Sequence, residues 1–353
     1  MRLEVFDETK SQIWNTIISQ SCNGTLFHTW EWLKIAEKHS DSQLLPLVYF
    51  DADDDKAFGA IPLFFVKKLG LKMVFSPPPI TSITLGPVLV EKEYKQHKLE
   101  IAYLEFQQQI DNYIRNLDAN YTNIVTSPGL MDIRPFSWAG YTVRPSYTYK
   151  TDLSLGEKTL WSHLSSSLRP EINQTRKKGV QIIKTNFDKK QISDLVYSTL
   201  TDRYTKQNLR FSLKKPYLDD LLEQFGDSGI RILSAQLDGK TLGAQLYCIY
   251  KDRVTLWAGF VRPESNELEI NGLMLWEMIV DSIRTGYRWL ENMGANTPHL
   301  CSYKSKFDPG TELCFEMKKT DLWGSLAEKA YFLRKGSQSR GYDRHIMGKN
   351  QNT

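Results

Sequence analysis

Four cysteines in 353 residues, Cys22, Cys248, Cys301 and Cys314, with no C-x-x-C pair among them, provide no disulfide framework. A reducing, cytoplasmic setting is the expectation. An excess of charge of one sign is missing as well: the formal net charge of +4 is too small to mark a nucleic-acid binder by itself. At most it favours anionic substrates. The longest apolar run, around Ala57 to Val66, contains Gly59 and Pro62 and is far too short to span a bilayer. The opening MRLEVFDETK is charged and lacks the apolar core of a secretory signal. A cytoplasmic protein can still meet a membrane-linked substrate from the inner face.

Several chemistries are missing too. There is no G-x-x-x-x-G-K-[ST] phosphate loop, no G-x-G-x-x-G and no G-x-S-x-G nucleophile elbow. The six histidines are scattered, and His299 with Cys301 is the only close His/Cys pair, half a zinc site at most. No metal is expected, and hydrolase and nucleotide-triphosphatase readings are poor. What remains is chemistry that needs neither metal nor covalent nucleophile. Direct acyl transfer to an amine fits, because an activated donor needs only positioning, a base and oxyanion stabilisation.

The residues that are there read as a two-domain α+β chain. Apolar content is 41%, charged content 24%, and the length exceeds what one core usually serves. Helical periodicity predicts helices over 7–20, 29–39, 91–117, 155–178 with a break at Pro170, 189–206, 217–225, 271–285 and 322–334. Strand patterns fall at 44–50, 57–66, 121–126, 141–153, 180–184, 230–236, 241–250, 253–261, 287–293 and 311–318. Two stretches echo each other. Leu44 to Phe65 is strand, acidic turn (Asp51 to Asp55) and a strand with Gly59-Ala60. Ile230 to Tyr250 is strand, Asp238-Gly239 turn and a strand with Gly243-Ala244. Each is followed by a helix carrying Ile-Arg near its end and then a strand opening with Tyr121 or Tyr287. Duplication of one α+β unit is the implication. The boundaries are drawn at 1–150, 151–335 and a disordered, polar tail over 336–353.

The richest functional stretch is Leu300-Cys301-Ser302-Tyr303-Lys304-Ser305-Lys306-Phe307-Asp308-Pro309-Gly310, a loop between two strands. A Lys-rich segment at the carboxyl edge of a strand can meet an anionic ligand or a developing oxyanion.

At this point the chain resembles the Fem-type (FemAB) transferases. Leu160-Trp161 through Leu168-Arg169-Pro170-Glu171-Ile172 to Gly179-Val180 resembles their L-W to G-V segment. Gly229-Ile230-Arg231 to Gly243-Ala244 resembles their hairpin, and Leu273 to Gly286-Tyr287 the helix that follows. Tyr303-Lys304-Ser305-Lys306-Phe307-Asp308 is similar to their F-K-x-x-F-G motif, and Phe27 to Trp32 to their opening. The resemblance covers roughly residues 20 to 320. It implies two tandem GNAT-like domains, each a mixed sheet flanked by helices. It also implies transfer of an acyl or aminoacyl group from aminoacyl-tRNA or acyl-coenzyme A, as co-substrate rather than bound cofactor, to an amine. Cell-wall (peptidoglycan) or other cell-surface precursors are the acceptors it suggests, with tRNA as a candidate partner.

Carried over residue by residue, Lys304 is the motif lysine, expected to bind phosphate or steady the transition state. Tyr303 and Phe307 are substrate-packing candidates, each with a core alternative that is the stronger one for Phe307. Arg169 can fork onto a phosphate or carboxylate, or close a helix-terminus salt bridge. Glu269 and Glu291 are general-base candidates. Asn271-Gly272, opening a helix, stand where an acyl donor's anion would sit. Three departures matter: Asp308-Pro309 replaces the motif's final Gly, no heptad-rich arm occurs, and the Gly-rich pyrophosphate loop of coenzyme A users is missing. The competing reading is a catalytically silent GNAT-like protein that grips RNA or an anionic polymer through Arg169 to Lys178 and Arg334 to Lys349.

Overall fold

The structure, a computed structural model, describes residues 2–51, 56–79, 81–184, 188–206, 213–226, 228–261 and 267–336. Beyond Asp51, the acidic turn expected at 51–55 lies outside the described residues, as does the expected tail from 337 onward. The chain forms two compact units, Met1–Ser146 joined by Leu313–Gln338, and Tyr147–Glu312.

The first unit runs β1 (Arg2–Val5), α1 (Ser11–Gln20), α2 (Trp30–Ser40), β2 (Gln43–Phe50), β3 (Ala57–Lys68), β4 (Leu71–Ser76), β5 (Val88–Leu89), α3 (Gln96–Asn116), β6 (Tyr121–Val125) and α4 (Arg134–Trp138). β7 (Thr142–Asp152) leads into α5 (Gly156–His163), α6 (Leu168–Lys177), β8 (Gln181–Lys184), α7 (Lys189–Lys206) and α8 (Lys215–Phe225). Then come β9 (Ile230–Leu237), β10 (Lys240–Tyr250), β11 (Arg253–Val261), α9 (Ile270–Thr285), β12 (Trp289–Asn292) and α10 (Pro298–Lys304). β13 (Gly310–Thr320) and α11 (Leu322–Gly336) close the described chain.

The two units repeat one plan. In the first, the sheet order is β1-β2-β3-β4-β6-β13, antiparallel except for the parallel pair β4 and β6. In the second it is β8-β9-β10-β11-β12-β7, antiparallel except for the parallel pair β11 and β12. Two helices separate the first two strands in each, and one helix, α3 or α9, makes the crossover that a parallel pair requires. The expected duplication is thus a repeated topology, with the first unit's sixth strand, β13, formed only after the chain has passed through the second unit.

Local chemistry explains the meanders. Asp238 (φ 50°) and Gly239 (φ 75°) form the two-residue connection whose left-handed residues match strand twist. Leu69 (φ 52°) and Gly70 (φ 80°) do the same between β3 and β4, a strand pair the sequence pattern missed because Leu is no turn residue. The helix read as broken at Pro170 is instead two helices parted at 164–167. Pro170 sits in the first turn of α6, where a missing N–H costs nothing. In the second unit one sheet face buries Leu233, Tyr247, Ile249, Val254 and Leu290 against α9. In the first, Leu47, Ile61, Val74 and Ile124 meet α3 through Phe106 and Ile110.

Candidate active site

The second unit's chemistry gathers where α9 begins. Nine apolar residues in Ile270–Thr285 drive the helix into the core, and Gly286 (φ 89°) ends it in the left-handed cap expected of it. At the other end Glu269 is the N-cap. Its Oε1 accepts the Gly272 N–H at 2.9 Å, and its carbonyl accepts the Leu273 N–H at 3.0 Å. The Glu269 N–H in turn donates to Thr175 Oγ1 on α6 at 2.9 Å. Gly272 is closely cradled. A Cβ there would stand 2.9 Å from Glu269 Cγ and Oε1 and 3.0 Å from Leu168 Cδ1.

The helix end formed by Asn271 and Gly272, expected to receive a donor anion, is therefore already occupied by the chain's own carboxylate. A diphosphate would have to displace Glu269 and face its charge. Asn271 makes a different contact: Gln245 Nε2, from β10, lies 3.4 Å from both its carbonyl oxygen and Oδ1. Gln245 Oε1 accepts the Tyr247 hydroxyl. Gln245 and Tyr247 were not singled out from sequence. A glutamine alternating with tyrosine in an otherwise apolar strand was the available signal.

The lysine-rich stretch is not a loop. Its first half is α10, opened by Thr297, whose Oγ1 accepts the Leu300 N–H, and its second a short 3-10 turn over Ser305–Phe307. Asp308, where the motif has Gly, still adopts the left-handed conformation (φ 52°), which Asp tolerates better than most residues. Consecutive residues of α10 serve two places. Tyr303 donates its hydroxyl proton to Glu269 Oε1 at 2.8 Å. Burial, reinforced by the Glu269 charge, pushes that phenol's pKa well up. Lys304 reaches the end of β12, where its ammonium donates to the carbonyl oxygens of Met293 and, at 3.1 Å, Gly294. Burial pulls its pKa down to about 8. One turn earlier the Cys301 thiol, beside the Tyr149 phenol of β7, raises that phenol's pKa.

Glu291 is not part of this group. Its register partners are Thr255 and Lys150, and its neighbour Leu290 points into the core beneath α9. Side chains alternate along a strand, so Glu291 lies on the sheet face away from α9. It is 2% exposed, with Oε2 3.3 Å from Arg253 Nη1, and burial raises its pKa. Asn292, the next residue, faces the α9 side with Tyr149. Its Oδ1 is buried with no hydrogen-bond partner among the described residues. Phe307, 3% exposed, belongs to the core, and its substrate-packing role gives way to packing beside Tyr303. Arg169 follows Leu168, which touches the Gly272 backbone. Arg169 is half-buried, and its guanidinium has no hydrogen bond or ion pair among the described residues. No group of three His, Cys, Asp or Glu among the described residues is placed to hold a metal ion.

Known proteins bear out the fold. Residues 165–305 match the family described as acetyltransferase (GNAT) domain. The structure is similar to that of FemX, with 10% identity, 90% of this chain and 97% of that chain covered, and a TM-score of 0.68. It is similar to the C-terminal domain of a putative lysylphosphatidylglycerol synthetase from Agrobacterium fabrum, at 12% identity, 92% and 96% coverage and a TM-score of 0.56. A tandem GNAT protein from the clavulanic acid biosynthesis pathway aligns at 11% identity, 90% and 98% coverage and a TM-score of 0.52. No curated protein sequence matches the chain significantly. Residues 165–305 of the second unit thus match the GNAT domain family, in a chain with a tandem GNAT fold.

Proposed function

We propose that the chain transfers an aminoacyl or acyl group from an activated donor to an amine on a cell-envelope precursor, with the transfer site at the α9–α10–β12 corner of the second unit. The observation that carries this is Lys304: a half-buried ammonium, fixed by two backbone carbonyls at a strand end, with a third N–H left over. That proton is available to the oxyanion that forms when an amine attacks the donor's carbonyl carbon, and in a dry site such a contact is worth several kilocalories. The leaving oxygen or sulfur departs with its electron pair as the tetrahedral intermediate collapses. Asn292 Oδ1 supports the reading from the acceptor side, since an unpartnered buried carbonyl is a receptor for the N–H of an incoming amine. Glu269, tied to α10 through Tyr303, takes the amine's proton through its second oxygen. Arg169 holds an anionic group of either substrate.

Glu269 at the helix N-terminus favours an aminoacyl-tRNA ester over a coenzyme A thioester, whose pyrophosphate would meet that carboxylate. FemX and the lysylphosphatidylglycerol synthetase domain lend weight to an envelope acceptor. The four free thiols agree with work on the cytoplasmic side. The test offers the full chain labelled aminoacyl-tRNA and acyl-coenzyme A with an amine-bearing peptidoglycan precursor. Transfer that is lost in Lys304→Ala supports the reading. Folded protein that transfers from neither donor to any amine tested removes it, and leaves the anionic-polymer binder.

A further inference from the structure

We propose that α11 docks the first unit on the surface of an anionic lipid bilayer. A surface helix normally buries its apolar stripe and shows water its polar one. α11 does the reverse. Leu322, Trp323, Leu326 and Leu333 are 71%, 67%, 49% and 79% exposed. At 100° per residue these four fall within about a third of the helix circumference. Apart from the half-buried Phe332, the inward side is polar or small. Glu328 accepts from Lys318 Nζ at 2.8 and 3.0 Å and from the Tyr121 hydroxyl at 3.4 Å. Ser325 meets Thr320 at 2.7 Å, and a Cβ on Gly324 would stand 2.0 Å from the Asn120 carbonyl oxygen. The helix is thus pinned by hydrogen bonds and backbone contact in the orientation that turns leucine and tryptophan outward.

Charge selects the occupant. From Lys329 to the end of the sequence stand Lys329, Arg334, Lys335, Arg340, Arg344 and Lys349 against the single acid Asp343. That is a net +5, more than the +4 of the whole chain, so the rest of the protein is slightly acidic. Two copies meeting through this helix would bring two such segments together, whereas phospholipid headgroups of negative charge would neutralise them. Leucine and tryptophan beside lysine and arginine is the composition of a helix lying in a membrane interface. Among the described residues no helix is long and apolar enough to cross a membrane, so the contact is with the surface.

The full chain is mixed with vesicles of phosphatidylcholine alone or with phosphatidylglycerol added, and bound protein is measured by flotation, beside the double variant W323S/L326S. The wild type is expected on phosphatidylglycerol vesicles only, with binding that weakens as salt rises. The variant is expected to bind about tenfold less, as losing two interfacial side chains implies. Both side chains face solvent, so its melting temperature and circular dichroism should match the wild type. Absence of wild-type binding at low salt, or equal binding by the variant, overturns the proposal. So does a dimer seen by light scattering that the variant abolishes while vesicles capture nothing, since the stripe would then be a contact between copies. None of these outcomes depends on whether the chain transfers an acyl group.

Discussion

The hydroxyl of Tyr303 stands 2.8 Å from the same oxygen of Glu269 that caps α9. Two elements far apart in sequence, one opening a helix and one ending another, therefore share one carboxylate. A hydrogen bond to a charged acceptor is worth about 1.5–3 kcal/mol, and an N-cap about 1 kcal/mol. Tyr303→Phe should lower unfolding stability by about 2 kcal/mol in urea titrations.

Glu269→Ala separates the cap from the charge. Losing the cap costs about 1 kcal/mol. Losing the charge leaves N–H groups at the helix N-terminus facing open space, which is what an anion requires. Coenzyme A should bind this variant at least tenfold more tightly than it binds the wild type in titration calorimetry. Equal affinity would mean that Glu269 does not exclude diphosphates.

The ammonium of Lys304 gives a pH dependence whose sign can be worked out. Its pKa is about 8 in the folded protein against 10.5 ordinarily. Activity that needs the cation should fall about tenfold per pH unit above 8. Stability moves the other way. Between about 8 and 10.5 the unfolded chain holds a proton that the folded protein has released, so stability rises with pH across that window. The gain is at most about 3 kcal/mol, and less for a partly exposed group. Lys304→Arg, charged throughout, should lose the alkaline fall in kcat/KM, whatever the rate it retains.

Much of this was legible before any coordinates. The strong period of the helix ending at Gly286, the Asp238-Gly239 hairpin and the echo between Leu44–Phe65 and Ile230–Tyr250 each rest on local chemistry, and local chemistry is what a sequence displays. β4 was not legible, since its turn uses Leu69 where a small or polar residue would announce it. Placing Tyr303 and Lys304 on a helix also failed, because α10 is only 7 residues long and carries little periodicity. The side of the sheet that a residue faces depends on register. That is why Glu291 looked like a neighbour of Lys304, and why Asn292, one position on, was passed over.

Glu291 makes the register argument measurable. Burial raises its pKa from an ordinary 4.5, so from about that pH upward the unfolded chain loses its proton first. Folding stability contributed by this group must then fall as pH rises. Glu291→Gln removes the slope. The variant should match or exceed the wild-type melting temperature at pH 8 and lose that advantage near pH 5. Transfer activity should survive within about threefold, because the side chain sits on the face away from α9. A thousandfold loss of kcat would return Glu291 to the site as its base.

Gly272→Ala sets two known effects against each other. Alanine in place of glycine inside a helix stabilises by about 1 kcal/mol. Here the new methyl carbon would lie 2.9 Å from Glu269 Cγ and Oε1 and 3.0 Å from Leu168 Cδ1, closer than real methyl contacts come. Leu168 is fully buried and cannot retreat, so the Glu269 side chain must rotate away. That breaks both the Gly272 N–H bond and the Tyr303 contact, at about 1 and 2 kcal/mol. The losses exceed the propensity gain, so the variant should be less stable than the wild type by about 2 kcal/mol. The same displacement clears the helix N-terminus. Gly272→Ala should therefore also bind coenzyme A more tightly than the wild type, though less tightly than Glu269→Ala, because its carboxylate remains nearby. Stability unchanged or raised in Gly272→Ala would show that the cap yields freely, and that Tyr303 and Glu269 are held by something other than each other.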